Sequence, residues 1–253
     1  MDYLLVRGRK LSILGSMIVL GLDFETSGIS PNEDRVIEIG AVLWDCDRKT
    51  PIDIMGKLIK QEGIRLSPEI TEITGILDED LENHGYDATA SLKELHGLLS
   101  RCDYVVAHNG NRFDKLFLEQ EVKRAGLGEL NWTKPWIDTL TDLPLPDSIR
   151  TRKLSYLAVE HQLFNPLPHR AVFDVIVMLQ LFSKYPVEEV VSLAESPTIE
   201  VRADVTYDDR ALAKDCGYRW DGGRKMWVKT IKQVHFEGEQ QRAKFDVIEV
   251  LVG

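Results

Sequence analysis

Cysteine is scarce in this sequence, and its positions exclude two kinds of protein. The 253 residues contain three cysteines, Cys46, Cys102 and Cys216, which form no close pair and no metal-finger spacing. A secreted disulfide scaffold needs several paired cysteines, and a structural zinc site needs closely spaced ones. The sequence therefore excludes both classes and is typical of a reducing compartment.

Long hydrophobic runs are also lacking. An apolar stretch covers Leu11–Leu22, which is shorter than the roughly 20 apolar residues that a membrane helix needs. Basic residues precede this stretch as in a signal peptide, but no small-residue cleavage site follows it. We therefore predict a cytoplasmic protein that does not contact a membrane. Met17 is an alternative start, which would make residues 1–16 an N-terminal extension.

An excess of positive charge is missing as well. The formal net charge is −10, so the composition does not indicate a nucleic-acid-binding protein. Residues 198–253 contain ten basic and ten acidic residues, which places the whole acidic excess before residue 198. A carboxylate site that cleaves phosphodiesters would contribute to this excess, and bound cations would reverse its local sign. A solvated acidic surface is the simpler explanation of the charge alone.

The apolar patterning predicts an α/β fold. Three closely linked β-rich segments come first and predict an antiparallel meander. Helical and strand patterns then alternate, which predicts a mixed sheet covered by helices. The predicted strands are Ile18–Thr26, Arg35–Trp44, Ile52–Lys60, Tyr104–Ala107 and Trp136–Leu140. One predicted helix begins at Ser67, and four others cover Ala88–Leu99, Arg112–Arg124, Lys153–Leu163 and Arg170–Phe182.

Two carboxylates lie two residues apart in the first apolar strand. Asp23 and Glu25 point to the same face, because side chains alternate along a strand. Two neighbouring carboxylates repel each other when buried, and a metal ion between them removes that penalty. The spacing alone is common on edge strands. Its position inside an apolar run favours a metal site.

Two further carboxylates fall at predicted helix starts. Asp114 follows the strand that ends at His108 and Asn109, where a favourable interaction with the helix dipole is the alternative to metal binding. Asp174 interrupts an otherwise apolar helix, so it needs a partner, and a metal is a suitable one. His169 precedes that helix and can therefore face the same site; a capping or surface role is its alternative.

Together these segments resemble the three motifs of the DnaQ-like (DEDDh) 3′→5′ exonuclease superfamily. Asp23–Thr26 resembles the first motif, His108–Asp114 the second and His169–Asp174 the third, and the resemblance covers roughly residues 17–185. It implies an RNase H-like α/β fold in which helices flank a mixed five-stranded sheet. It also implies hydrolysis of nucleic acid from a 3′ end, with release of nucleoside 5′-monophosphates.

The chemistry of the residues agrees with that implication. Mg²⁺ or Mn²⁺ suits an all-carboxylate site, and two ions can hold the attacking and departing oxygens of an in-line displacement. We therefore predict that Asp23, Glu25, Asp114 and Asp174 are catalytic ligands of two such ions, with Asp23 bridging them. His169 is predicted to take a proton from the attacking water, a role that suits an imidazole near neutral pH.

Several other residues are predicted to contact the substrate. The resemblance places Thr26 and Ile29 beside the terminal nucleotide, and simple turn structure is the alternative for both. Asn109 is predicted to order the strand end near the substrate, and Asp138 to have a structural role. Phosphate contacts are predicted for the basic residues near the third motif, with a solvated basic loop as the alternative: Arg150, Arg152, Lys153 and Arg170.

The partner is predicted to be nucleic acid with a free 3′ end. Fold-level analogy favours single-stranded DNA. The alternative is a proofreading or accessory subunit that docks on a replication or repair protein through its C-terminal part.

The pattern breaks near Pro197, so residues 17–193 are predicted to form the exonuclease domain and residues 198–253 a small α+β module. The module resembles small domains appended to nucleic-acid enzymes, on a pattern of about thirty residues around Trp220 and Trp227. These tryptophans could stack on unpaired bases. A domain this small usually needs its large aromatic residues in the core. We therefore favour the interpretation that both tryptophans are core residues.

Overall fold

The computed structural model describes residues 3–6, 9–12, 16–146 and 148–250, with side chains from residue 16 onward. The chain divides into two compact units between Val190 and Val191. Part of the predicted extension 1–16 is an antiparallel hairpin of β1 (Tyr3–Val6) and β2 (Arg9–Ser12); its other residues except Ser16 lie outside the described part of the chain.

One mixed sheet forms the centre of the first unit. Its strands are β3 (Ile18–Thr26), β4 (Val36–Asp45), β5 (Thr50–Leu58), β6 (Tyr104–Ala107) and β7 (Trp136–Asp138). They lie in the order β5-β4-β3-β6-β7. The first three pair antiparallel, whereas β6 runs parallel to β3 and β7 parallel to β6. The predicted meander and mixed five-stranded sheet are confirmed.

Helices flank this sheet. They are α1 (Pro68–Thr74), α2 (Asp78–His84), α3 (Ala88–Leu99), α4 (Asp114–Arg124), α5 (Leu154–Glu160) and α6 (Ala171–Phe182), and α7 (Val187–Glu195) follows across the division. The sequence predicted the positions of all but α2 and α7. Leu81 is the one buried residue of α2, so that helix has no apolar period to detect. Helix α7 follows α6 after a short turn and ends at Glu195, just before the predicted break near Pro197.

Helix α6 lies directly on the backbone of the sheet. It packs against β3 and β4, and Gly40 of β4 makes the close approach possible. A Cβ atom at Gly40 would come within 2.3 Å of the Ala171 carbonyl carbon at the start of α6. The absence of a side chain at this one position therefore brings the beginning of α6 next to the middle of β3.

The second unit contains an antiparallel sheet and two short helices. Its elements are β8 (Thr198–Asp204), α8 (Arg210–Asp215), β9 (Arg219–Asp221), β10 (Met226–Lys232), α9 (Phe236–Arg242) and β11 (Asp246–Glu249). The strand order is β11-β8-β10-β9. The predicted small α+β module is therefore present as a second sheet region.

Among the described residues, no helix combines the length and the apolar composition that a membrane crossing needs.

Candidate active site

Strand β3 carries the first two carboxylates at the centre of the sheet. Asp23 lies opposite Gly40 and Glu25 lies opposite Glu38 on the neighbouring β4. The alternate residue Phe24 is buried in the core under the other face. The register shifts directly after Glu25, so the regular pairing ends where the pair of carboxylates ends. The strand alternation thus places both carboxylates on one face, as predicted.

Asp114 reaches the same strand from the start of α4. Its side chain is 1% exposed, and its Oδ1 accepts a hydrogen bond of 3.0 Å from the backbone N–H of Phe24. Phe24 lies between Asp23 and Glu25, so the hydrogen bond holds Asp114 beside both. The carboxylate is therefore held against the middle of β3 as well as lying in a first helical turn.

Asp174 and His169 come together at the start of α6. The backbone N–H of His169 donates to Asp174 Oδ2 at 2.9 Å, and His169 adopts a positive φ of 61°. This left-handed conformation turns the chain back before the helix begins. One ligand atom each from Glu25, His169 and Asp174 lies within 4.8 Å of the other two. The residues of the first and third motifs therefore meet in space.

The carboxylates of this site hold protons unusually strongly. Burial raises the pKa of Glu25 to about 8, with repulsion from Asp174 and Glu38 adding to it. Burial also raises the pKa of Asp114 to about 7 and raises that of Asp174. The pKa of Asp23 lies well above its ordinary value, through burial and then repulsion by Asp114. A divalent cation would relieve this repulsion, and oxygen donors suit a hard ion, so the residues fit a divalent metal.

These pKa shifts predict how the stability of the metal-free protein depends on pH. Because the folded-state pKa values lie above the unfolded ones, the free energy of unfolding should fall as the pH rises from about 4 to about 8. Added Mn²⁺ should raise the melting temperature more at pH 8 than at pH 5.5, since it binds deprotonated ligands. Thermal unfolding with and without chelator checks this; equal melting temperatures at both pH values in every condition would contradict it.

Glu38 is a residue of the site that the sequence analysis missed. Its side chain is 3% exposed and binds Arg170 through Nε at 3.1 Å and Nη2 at 2.8 Å. It also accepts the backbone N–H of Ala171 at 3.0 Å. Glu38 thus fixes the chain between His169 and α6. Its signal in the sequence was a single acidic residue inside the apolar strand β4.

Asn165 is the second missed residue. Its Nδ2 donates to Asp174 Oδ1 at 2.6 Å, and its Oδ1 accepts the backbone N–H of Leu167 at 3.2 Å. Asn165 therefore ties the segment that carries His169 to the carboxylate beneath it. An asparagine before a proline indicates only a turn in the sequence, so nothing there marked it.

Replacing Asn165 with alanine tests this role. We expect a loss of turnover of roughly 10- to 100-fold, as for residues that orient a metal ligand, with an accompanying rise in the Mn²⁺ concentration needed for half-maximal rate. Asn165→Asp, which lacks the amide donor, should not restore either value. Steady-state kinetics over a Mn²⁺ titration measures both, and an unchanged metal requirement in Asn165→Ala would exclude the role.

Thr26 and Ile29 have different environments. Thr26 is buried, and its hydroxyl donates to the carbonyl of Gly28 at 2.5 Å, so its side chain supports the turn after β3. Ile29 is 86% exposed at the tip of the following loop. Arg124 fixes that loop from α4 by donating to the carbonyls of three of its residues, Pro31, Asn32 and Asp34. Ile29 is thus an apolar side chain on a constrained loop.

Asp138 has the structural role predicted for it. Its carboxylate accepts the backbone N–H groups of Asn109 at 2.8 Å, Asn111 at 3.2 Å and Leu140 at 3.0 Å. Asn109 adopts a left-handed φ of 68°. Asp138 therefore shapes the loop that leads from β6 to Asp114, and Asn109 orders the end of that strand.

The predicted phosphate contacts are not equivalent. Arg150 and Lys153 are exposed, whereas Arg152 donates through Nη1 to the carbonyls of Leu140 at 2.9 Å and Leu143 at 3.5 Å. The guanidinium of Arg170 is engaged by Glu38. Phosphate contact stays a prediction, and Arg150 and Lys153 are the two of these residues for which we expect it first.

Comparison with known proteins agrees with this geometry. Residues 20–182 match a sequence family described as exonuclease, and residues 199–250 match a domain family of unknown function. The chain is 36% identical over 174 residues to a PolC-type DNA polymerase III of Thermotoga maritima, covering 69% of this chain but 12% of that one. It is 29% identical to the DNA polymerase III subunit epsilon of Treponema pallidum, covering 77% of this chain and 89% of that one.

Solved structures of exonuclease I share the fold. One, described as suggesting how processivity is achieved, has a TM-score of 0.61 and 17% identity, covering 74% of this chain and 48% of that one. A zinc-bound complex of the Escherichia coli enzyme with single-stranded DNA also has a TM-score of 0.61 and 17% identity, covering 75% and 48%.

The fold and the family match define a nuclease. The chain belongs to the exonuclease family, and the predicted membership of the DnaQ-like 3′→5′ exonucleases is confirmed. It spans about an eighth of the length of the PolC-type relatives that it matches.

Proposed function

We propose that the chain removes nucleotides one at a time from the 3′ end of single-stranded DNA and releases nucleoside 5′-monophosphates, using two Mg²⁺ or Mn²⁺ ions. The convergence of four carboxylates from three separate segments on the middle of β3 carries the proposal. Acidic side chains with raised pKa values at one place indicate a functional site. The segment 17–193 would perform this reaction.

Each residue has a distinct part in the proposed reaction. Asp23, Glu25, Asp114 and Asp174 would hold the ions, which when bound stabilise charge on the oxygens of the reacting phosphate. The hydrogen bond from Phe24 keeps Asp114 in position. His169, the exposed residue of the site, takes the proton from the attacking water. Glu38 and Asn165 hold the segment that carries His169 in place next to Asp174.

Several observations favour an unpaired 3′ end. Exonuclease I, whose fold this chain shares, has been seen with single-stranded DNA. Ile29 projects from a fixed loop and is 86% exposed, which suits contact with a base that is free of its partner strand. Arg150 and Lys153 would contact the phosphates behind that base. An all-carboxylate set favours Mg²⁺ or Mn²⁺ over zinc, which prefers nitrogen and sulfur ligands.

A second candidate function is proofreading for a replicative polymerase. The sequence relatives support it, because their names are those of DNA polymerase III, as PolC-type chains or as the epsilon subunit. In that case the chain would work as a subunit docked on a replication protein. Size-exclusion chromatography of the protein purified from its own cells would decide: a stable polymerase complex supports docking, and a free active chain argues against it.

Hydrolysis of end-labelled strands tests the proposed function. The purified protein is incubated with Mg²⁺ and with 5′-labelled single- and double-stranded DNA and RNA of one sequence. We expect single-stranded DNA to shorten in one-nucleotide steps from its 3′ end, and a 3′-label to be released as a mononucleotide. Products that appear from the 5′ end, or internal cuts, would contradict the proposal.

A further inference from the structure

The edge strand of the second unit presents an aromatic surface to solvent. Trp220 of β9 lies directly opposite Trp227 of β10, and their ring centroids are 5.7 Å apart. Trp227 packs against the core of the unit, which confirms that part of the prediction. Trp220 is 53% exposed, so the prediction that both tryptophans are core residues is wrong for Trp220. The indole of Trp227 lies beside it on the same face of the sheet.

The same hairpin is basic, although the chain is acidic. Residues 219–232 contain five Lys/Arg and one Asp, a net charge of +4 in a protein with a net charge of −10. Arg224 pairs with Asp221, 2.7 Å from its Nε, and with Glu200 of β8, and Lys229 pairs with Glu239. The side chains of Lys214, Arg219 and Lys225 make no hydrogen bond or ion pair with any residue that the structure describes.

Two of these cations are close to Trp220 along the chain. Lys225 is the last residue of the turn that leads into β10. Arg219 precedes Trp220 in β9, so its side chain begins on the opposite face of the sheet. The backbone of this turn is fixed, because Asp221 Oδ1 accepts the N–H groups of Gly223 and Arg224 at 3.0 Å each. The backbone that carries Lys225 therefore has one defined conformation, two residues from the strand partner of Trp220.

An exposed aromatic ring among free cations has the chemistry of a site for unpaired nucleic acid. A base stacks on the ring, and Lys or Arg side chains contact the phosphates on either side. An acidic peptide would contact the cations but would not need the ring. Duplex DNA keeps its bases stacked on each other, so none of them is free to stack on Trp220. The charge of the hairpin and the exposure of Trp220 together favour a single strand.

We propose that the β9–β10 hairpin binds single-stranded nucleic acid, with Trp220 stacking on a base and Lys225 contacting a phosphate. The site lies on residues that match a domain family of unknown function. It extends the proposed exonuclease function but does not depend on it, because binding can be measured without hydrolysis. The comparison of dT20 with rU20 distinguishes DNA from RNA.

Fluorescence anisotropy with the full chain tests the site. The protein is titrated into 5′-fluorescein dT20 and rU20 in EDTA, which prevents cleavage. We expect Trp220→Ala to weaken binding roughly tenfold, the contribution of one stacked base, and Trp220→Phe to restore most of it. Tyr207→Ala is the matched control, because Tyr207 is an exposed aromatic residue of the same unit and should leave affinity unchanged.

Charge and turnover provide independent readouts. Lys225→Gln should reduce the slope of log Kd against log salt by roughly 0.7, the value for one phosphate contact to a single strand. With Mg²⁺, Trp220→Ala should raise KM for dT20 and leave kcat unchanged. Unaltered affinity of Trp220→Ala for both strands, in a variant whose melting temperature matches that of the parent, would overturn the proposal without affecting the exonuclease assignment.

Discussion

Replacing Asp114 with asparagine should abolish 3′-end hydrolysis while leaving a folded protein. The asparagine keeps the oxygen that accepts the Phe24 N–H but loses the charge that a metal ion requires. A metal site supplies several kcal/mol of transition-state stabilisation, so we expect turnover to fall about a thousandfold or more. Asp174→Asn should behave similarly. Quantified release of labelled mononucleotide in Mg²⁺ measures the effect.

The matched control for this variant is Glu121→Gln. Glu121 lies on the same helix, is 5% exposed, and accepts the backbone N–H of Val36 at 3.3 Å and Arg124 Nη1 at 2.8 Å. Neither partner is one of the four carboxylates, and glutamine keeps an oxygen that can accept from both. We expect it to lower stability and to keep turnover within a few-fold of the parent. Full activity in Asp114→Asn would remove the proposed metal mechanism, whatever the control showed.

Replacing His169 with asparagine should lower turnover by roughly 10²- to 10⁴-fold, the usual contribution of a general base. Asparagine is the informative substitution because His169 adopts a φ of 61°, a conformation that asparagine adopts more readily than alanine. The backbone N–H that binds Asp174 is thereby kept in place. The variant should lose the base without losing the turn that precedes α6.

Two measurements separate proton transfer from metal binding at His169. The increase in melting temperature on adding Mn²⁺ should remain in His169→Asn, because the four carboxylates are intact. Saturating Mn²⁺ should not restore turnover in the variant, because the substitution removes the base and not a carboxylate ligand. Turnover of His169→Asn within a few-fold of the parent at saturating Mn²⁺ would rule out His169 as the base.

The sequence predicted most of the fold because the decisive signals were local. Helix α3 and strand β6 begin and end where their apolar patterns predicted. The alternation in β3 placed Asp23 and Glu25 on one face without any knowledge of the tertiary structure. The irregular chain before α6 could also be predicted. Pro168 marks a helix start, and residues five apart on a continuous helix, such as His169 and Asp174, could not both face one site.

The contacts that hold the site together could not be predicted in the same way. Glu38 and Asn165 act on residues 132 and 9 positions away in the chain, and only the packing of α6 on the sheet brings those partners together. The exposure of Trp220 likewise depends on its being in an edge strand. A tryptophan in a central strand of the same small sheet would have been buried, as Trp227 partly is.

The proposed mechanism requires four acidic side chains from three segments to bind a pair of cations. A crystal grown in Mn²⁺ and measured at the manganese absorption edge tests it most directly. We expect two anomalous peaks between Asp23, Glu25, Asp114 and Asp174, with the imidazole of His169 facing the same space. No peak there, or manganese held only elsewhere on the surface, would contradict the account.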